Sequence, residues 1–121
     1  MRIFFDVDLT LLHSDSSGWT LRPNTREVFT QVKTLGHDIY LWTATGKAHA
    51  ERVVQYFRLE TFVTDCMDKD SRNDVKPDFI VDDDSYLVEK YGGVFVTPYR
   101  VPDLLDKELQ KVIVFLGQEI S

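Results

Sequence analysis

Three short apolar runs of the sequence each end in acidic or hydroxyl side chains. The first run ends at Asp6 and Asp8, the second at Thr43 and Thr45, and the third at the acids 82–84. Runs without polar alternation are typical of strands that are buried on both faces of a parallel sheet. The carboxyl ends of such strands lie along one edge, where open α/β folds bind their ligands. We therefore predict that the three polar ends form one cleft, with the two acids of the first run projecting to the same side.

Predicted strands alternate with predicted helices along the whole chain. The helical segments have apolar residues three or four positions apart and are bounded by glycines or capping residues. This order predicts one α/β domain over residues 1–121, a Rossmann-like parallel sheet of about five strands with helices on both faces. Strands are expected over 3–5, 39–42, 61–64, 79–81 and 94–96, and helices over 24–36, 50–57, 85–91 and from 102 onward.

Local signals refine some of these elements. Asn24 followed by Glu27 resembles a capping box at the start of the first helix. Asp84 is expected to cap the helix that follows it rather than to bind a ligand. The last helix is predicted to open at Pro102 and to bury one apolar face. That face consists of Leu105, Leu109, Val112 and Leu116.

Two stretches are expected to lack long regular elements. Residues 11–22 are rich in glycine and serine in their middle, which predicts a loop or hairpin over the end of the first strand. Trp19 in this stretch would either touch a substrate or pack beneath the loop. Residues 65–77 contain four Asp, two Lys and one Arg, and they predict a polar loop.

Composition limits the classes of function. A net charge of −6 argues against a general nucleic-acid or anionic-membrane surface. No apolar stretch approaches the ~20 residues that cross a bilayer, and acids interrupt the N-terminal apolar run too early for a signal peptide. The single cysteine, Cys66, fits a reducing compartment, and nothing pairs it with a histidine base. We expect a cytoplasmic protein without a membrane partner, and oligomerisation stays open.

The predicted cleft combines groups that suit a phosphoryl ligand. The strand-end acids supply oxygen atoms, which are the ligands of a hard cation such as Mg2+. Thr43 adds a hydroxyl, and Lys76 adds an ammonium whose direction is restricted by Pro77. Lys69 and Arg72 compete with Lys76 for this role, and the distance to the acidic strand favours Lys76. Together these groups can neutralise phosphoryl oxygens while a carboxylate attacks phosphorus.

The histidines show none of the spacings that are typical of a zinc site. His13, His37 and His49 fall on different predicted elements, and the last two are expected at the surface. The alternative to a metal or catalytic role for Asp6 and Asp8 is that they merely cap a turn after the first strand.

Four segments, in order, resemble the motifs of the haloacid dehalogenase-like (HAD) superfamily. Phe5-Asp6-Val7-Asp8-Leu9-Thr10 is similar to its first motif, DxDx[TV], after a hydrophobic strand. Thr43 after Leu41-Trp42 is similar to the second motif, Lys76 in Val-Lys-Pro-Asp to the third, and Asp82-Asp83 to the fourth. The resemblance covers roughly residues 2–97, and the conjunction of four motifs is more specific than any one of them.

The resemblance implies a role for each matching residue. Asp6 would be the nucleophile that forms an aspartyl-phosphate, and Asp8 would be the general acid and then the general base. Mg2+ would be held by Asp6, the backbone carbonyl of Asp8 and Asp83, with Asp82 as a further acid beside them. The phosphate would be bound by Thr43 and Lys76.

Both places where members of this family insert a cap domain are short in this chain. Residues 11–22 have the length of a hairpin, and residues 65–76 that of a loop. The resemblance therefore implies a capless phosphatase of a phosphorylated substrate. A macromolecule is favoured, because an open cleft excludes water poorly around a small one. The alternatives are a receiver-like or phosphate-sensing module that is phosphorylated on Asp without turnover, and a non-catalytic interaction domain.

Overall fold

A computed structural model describes residues 1–70 and 72–120 of the chain, so Ser71, within the predicted polar loop, lies outside the described residues. Strands and helices alternate along much of this part of the chain, but three strands precede the first helix, and no helix is described between the fifth and sixth strands. The strands are β1 (Arg2–Asp6), β2 (Leu12–Asp15), β3 (Gly18–Leu21), β4 (Asp38–Thr43), β5 (Val63–Asp68), β6 (Phe79–Asp82) and β7 (Gly93–Phe95). The helices are α1 (Thr25–Thr34), α2 (Lys47–Phe57), α3 (Ser85–Tyr91) and α4 (Gln110–Ile120).

A five-stranded parallel sheet with the order β5-β4-β1-β6-β7 forms the centre of the fold. The predicted α/β class and parallel sheet are therefore confirmed. β1 lies in the middle, where its apolar residues are covered on both faces, and it pairs with β4 on one side and β6 on the other. The ends of β1, β4 and β6 consequently share one edge of the sheet.

Helices cover both faces of the sheet, with unequal coverage. One face packs Ile3 and Phe5 of β1 against apolar residues of α1, α2 and α4. The other face is smaller and packs Phe4 and Trp42 against residues of α3. Each large apolar side chain that is buried in this way contributes about 1.5–3 kcal/mol to folding. The core thus holds β1 and its terminal acid between two packed layers.

The predicted capping box of α1 is wrong, whereas the cap of α3 is confirmed. Asn24 has a left-handed backbone (φ 72°), and its side chain makes no cap bond. That side chain instead donates to the backbone carbonyl of Asp106, at 3.2 Å. At α3, the Asp84 carboxylate accepts the backbone N–H groups of Tyr86 and Leu87, which is the usual N-cap arrangement.

The last helix starts later than the sequence predicts. α4 begins at Gln110, and Leu105, which was expected in its buried face, is 81% exposed. The carboxylates of Asp103 and Asp106 accept N–H groups two residues further on, at Leu105 and Glu108. Such local hydrogen bonds from side chain to backbone favour turns over a helix in this segment. Leu109, Val112 and Leu116 are buried as expected.

β5 is longer than predicted, and this difference matters for the site. The sequence predicts a strand over 61–64 followed by a loop, but the strand runs from Val63 to Asp68 and pairs with β4. β5 lies at the edge of the sheet and is partly exposed. Its sequence therefore shows neither the continuous apolar run of a buried strand nor the regular alternation of a half-buried one. The chain therefore reaches the acidic edge of the sheet directly before Lys69.

The stretch after β1 is the predicted hairpin rather than a domain. β2 and β3 pair antiparallel, with Ser14 opposite Trp19. In the described ranges, no helix is long and apolar enough to cross a lipid bilayer.

Gly93 offers a direct test of the packing between β6 and β7. It has φ +150° and lies opposite Ile80, whose backbone a Cβ atom at this position would strike. We expect Gly93→Ala to lower the free energy of unfolding by about 2–4 kcal/mol, through backbone strain and a lost strand pair. Urea unfolding followed by circular dichroism measures this change.

The matched control is Gly117→Ala in α4, where an added Cβ atom meets only open space. Because alanine favours a helix interior, this variant should gain about 0.5–1 kcal/mol. Equal effects of the two substitutions would contradict the close approach at Gly93.

Candidate active site

Three carboxylates converge at the predicted edge of the sheet. Asp6 ends β1 and is 5% exposed, and Asp82 ends β6 and is fully buried. Asp83 follows at the mouth of the cleft, and one oxygen from each of the three carboxylates lies within 4.8 Å of the others. The register of β1 with β6 sets this arrangement, because Phe5 pairs with Val81, one residue before each acid.

The ammonium group of Lys69 lies between the two buried acids. Its Nζ is 3.0 Å from Asp6 Oδ1 and 2.8 Å from Asp82 Oδ2. The Lys69 side chain is only 15% exposed, and its charge also lies over the ring of Trp42, 5.8 Å from the centroid. A cation with two carboxylates and an aromatic face is held in one position.

Lys69, which competes with Lys76 in the sequence for the role of phosphate-binding lysine, thus lies beside the acids. Lys76 is exposed in the segment before β6, and its role as a phosphate ligand stays a prediction. In the sequence, Lys76 is favoured by its distance to the acidic strand and by the neighbouring Pro77. Because β5 extends to Asp68, Lys69 is the first residue beyond a strand end, as Thr43 and Asp82 mark the ends of theirs.

Burial and crowding set the protonation of these groups. Burial raises the pKa of Asp6 to about 8, and the Asp82 charge adds to this rise, while Lys69 opposes it. Burial also raises the pKa of Asp82, against the effect of Lys69. Burial disfavours the charge of Lys69, but Asp6 and Asp82 outweigh it and raise the lysine pKa. At neutral pH, folded metal-free protein therefore holds a proton on Asp6.

The Asp8 carboxylate has a separate set of partners. Its Oδ2 accepts the hydroxyls of Thr43, at 3.3 Å, and Thr45, at 3.1 Å. Its Oδ1 lies 3.0 Å from His49 Nε2, and the Asp8 side chain is 40% exposed. Asp8 and Asp6 therefore share the cleft but have different neighbours. Coordination of a metal by the Asp8 carbonyl stays a prediction.

The loop between Asp6 and the hairpin is held by a buried arginine. Arg22 donates to the carbonyls of Leu9 and Thr10, and its guanidinium forms two hydrogen bonds with the Asp106 carboxylate, at 2.9 and 3.0 Å. These contacts support Leu9 in a left-handed conformation (φ 67°). The Thr10 hydroxyl can then donate to Asp6 Oδ2 at 2.9 Å. Arg22 thereby fixes the backbone beside Asp6.

Sequence reasoning missed several of these residues. Thr10 belongs to the DxDx[TV] segment, so its position was a usable signal, whereas Arg22 showed none because its acid partner lies 84 positions away. His49 was expected at the surface, but its side chain is only 12% exposed. His37 is also buried, against the N-terminus. The thiol of Cys66 is buried and its pKa is raised to about 11, which fits the expectation that it is not a nucleophile.

The donor set of the acidic cluster fits a divalent cation. Hard cations such as Mg2+ prefer carboxylate oxygens, and three converge here from Asp6, Asp82 and Asp83. Three ionised carboxylates beside the single ammonium of Lys69 would leave a net negative charge, which a divalent cation would neutralise.

No protein-family model matches this chain, and no curated protein matches it either. The resemblance to the HAD superfamily therefore stays a prediction from the motif residues.

The raised pKa of Asp6 predicts a pH dependence of stability in metal-free protein. An ordinary aspartate has a pKa of about 3.9, and that of folded Asp6 is about 8. Between these values the folded state binds more protons than the unfolded state, so stability falls as pH rises from about 4 to about 8. Asp6→Asn should remove most of this slope and be more stable than the wild type at pH 8.5, by about 1–3 kcal/mol.

Urea unfolding in EDTA between pH 5 and pH 9 measures the effect. Asp38→Asn, an exposed acid at the opposite end of β4, is the control and should keep the wild-type slope. An unchanged slope in Asp6→Asn would show that Asp6 does not carry the buried proton.

Proposed function

We propose that this protein is a Mg2+-dependent phosphomonoester hydrolase that acts through an aspartyl-phosphate on Asp6. The observation that carries the proposal is the buried carboxylate of Asp6 beside Lys69 and two further acids, at the edge where parallel sheets bind ligands. A general surface role explains this cluster poorly, because burying repelling carboxylates costs stability.

Asp6 and Asp83, with Asp82 beside them, would hold the cation. When bound, Mg2+ would neutralise phosphoryl oxygens and favour the ionised form of Asp6. Lys69 would supply further positive charge next to Asp6. The buried hydroxyl of Thr43, which donates to Asp8 Oδ2 without substrate, would turn its proton to the phosphate when substrate binds.

In the first step, a carboxylate oxygen of Asp6 attacks phosphorus. A bond forms between this oxygen and phosphorus while the ester bond to the leaving group breaks. Asp8 donates its proton to the departing oxygen, so the product leaves as an alcohol. Asp6 and Asp8 have different hydrogen-bond partners, which allows them to take different roles in the reaction.

In the second step, water attacks the phosphorus of the aspartyl-phosphate. The Asp8 carboxylate, which has lost its proton, takes one from this water. The bond between Asp6 and phosphorus breaks, phosphate is released, and both acids return to their starting states. Water and ester are consumed, and alcohol and phosphate are formed, so atoms and charge balance.

The open cleft favours a large substrate. Over the described residues, the connection after β1 contains only the β2–β3 hairpin, and the Asp8 side chain is 40% exposed. A phosphate on a macromolecule could enter such a cleft and itself cover it. We propose a phosphorylated macromolecule as the substrate class and the cytoplasm as the location.

Asp6→Asn should lower kcat/KM for p-nitrophenyl phosphate at least about a thousandfold, because the covalent nucleophile is lost. Phosphate release with Mg2+ and with EDTA measures activity and metal dependence. Asp38→Asn, at the far end of β4, should retain wild-type activity. Full activity in Asp6→Asn would disprove the nucleophile assignment. A phosphorylated Asp6 that persists without phosphate release would instead indicate a phosphate-sensing module.

Lys69 and Lys76 can be separated by the same assay. Lys69→Met should lower kcat/KM by about a hundredfold, because it removes a preorganised charge beside Asp6. Lys76→Met, the comparison variant, should lower kcat/KM less than Lys69→Met, because Lys76 is exposed whereas Lys69 is 15% exposed. The reverse order of effects would restore Lys76 as the phosphate-binding lysine.

A further inference from the structure

Three side chains contact the carboxylate of Asp8. Thr43 and Thr45 donate to its Oδ2, and His49 approaches its Oδ1. A carboxylate oxygen has two lone-pair sites, so the two hydroxyls fill those of Oδ2. Oδ1, with one site facing the imidazole, keeps the other for a proton or a leaving-group oxygen.

Neighbouring side chains pack against the ring of His49. It lies near the start of α2, and Trp19 of the hairpin packs edge-on against it, with ring centroids 5.6 Å apart and an interplanar angle of 89°. Trp19 also packs against Tyr56, two turns further along the same helix, at 5.3 Å. The His49 side chain is 12% exposed. Its orientation is therefore set by packing on α2 and on the hairpin.

We propose that His49 is a positioning residue for Asp8: its Nε2 holds the carboxyl so that Oδ1 faces the leaving group. This proposal rests on the proposed phosphatase function and adds a residue to it. Thr43 and Thr45 both bond Oδ2, and Thr43 is also the proposed donor to the phosphate. The contact of His49 with Oδ1 does not depend on Thr43, so it keeps the carboxyl oriented when a substrate engages that hydroxyl.

The role predicts a loss that depends on the leaving group. p-Nitrophenolate leaves readily without a proton, whereas phenolate gains much more from an acid. Weaker positioning of Asp8 should therefore harm phenyl phosphate more than p-nitrophenyl phosphate. The two esters have similar size, so their binding should be affected equally. The constant kcat/KM reports the steps up to release of the phenol, and the ratio of the two values therefore measures the contribution of proton donation.

His49→Met and His49→Gln form a matched pair. Both side chains are unbranched, of similar length and compatible with a helix, but only glutamine keeps an N–H donor. We expect His49→Met to lower kcat/KM for phenyl phosphate by about 10–100-fold and that for p-nitrophenyl phosphate by about tenfold less. His49→Gln should recover most of the loss. The inhibition constant of inorganic phosphate should stay at the wild-type value in both variants.

His37→Met is the control of the same type. His37 precedes β4 at the opposite end of the sheet and contacts the N-terminal amine. The variant His37→Met should leave the ratio of kcat/KM for the two esters unchanged. Thermal unfolding of every variant is measured, and His49→Ala replaces His49→Met if the methionine variant does not fold.

The outcomes separate the two proposals. If the wild type hydrolyses both esters and loss of the His49 donor changes both equally, or changes neither, the positioning role is wrong and the phosphatase function stands. If glutamine fails to rescue a folded protein, the N–H donor is not what matters, and the role is also wrong. If the wild type hydrolyses neither ester with Mg2+, the phosphatase proposal fails and the role of His49 falls with it.

Discussion

The contact of one ammonium with two buried carboxylates is the interaction on which the candidate site depends. β1 and β6 are neighbours in the sheet, so their terminal acids, Asp6 and Asp82, lie close together. Without a cation between them, two such charges in a poorly solvated place would repel and destabilise the sheet. Lys69 relieves this repulsion in part. Burial raises the pKa values of both carboxyls, with a smaller contribution from neighbouring acids, and raised values are typical of functional sites.

Much of the fold was predictable because it depends on patterns that are local in sequence. The buried strands β1, β4 and β6 contain continuous apolar runs, and such runs predict a buried strand without knowledge of tertiary contacts. The convergence of Asp6, Thr43 and Asp82 followed from topology alone, since parallel strands that alternate with helices must end on the same edge.

The errors arose where long-range contacts override local signals. β5 is held by its pairing with β4 and needs few apolar residues, so the polar second half of this strand resembled a loop, and the position of Lys69 at a strand end was not visible. Asn24 looked like a helix cap, but its side chain bonds a carbonyl 82 positions away. His49 looked like a surface residue because its partners, Asp8 and Trp19, come from other elements. A sequence pattern cannot register such contacts.

The polar character of β5 has a further consequence, for association between molecules. An edge strand exposes unpaired backbone groups on its outer side and could add a strand from a second molecule. Asp65 and Asp68 are exposed along β5 and would bring like charges together if two such edges met. The same acids that concealed the strand in the sequence thus oppose edge-to-edge aggregation of the folded protein, and this protection should weaken at high ionic strength.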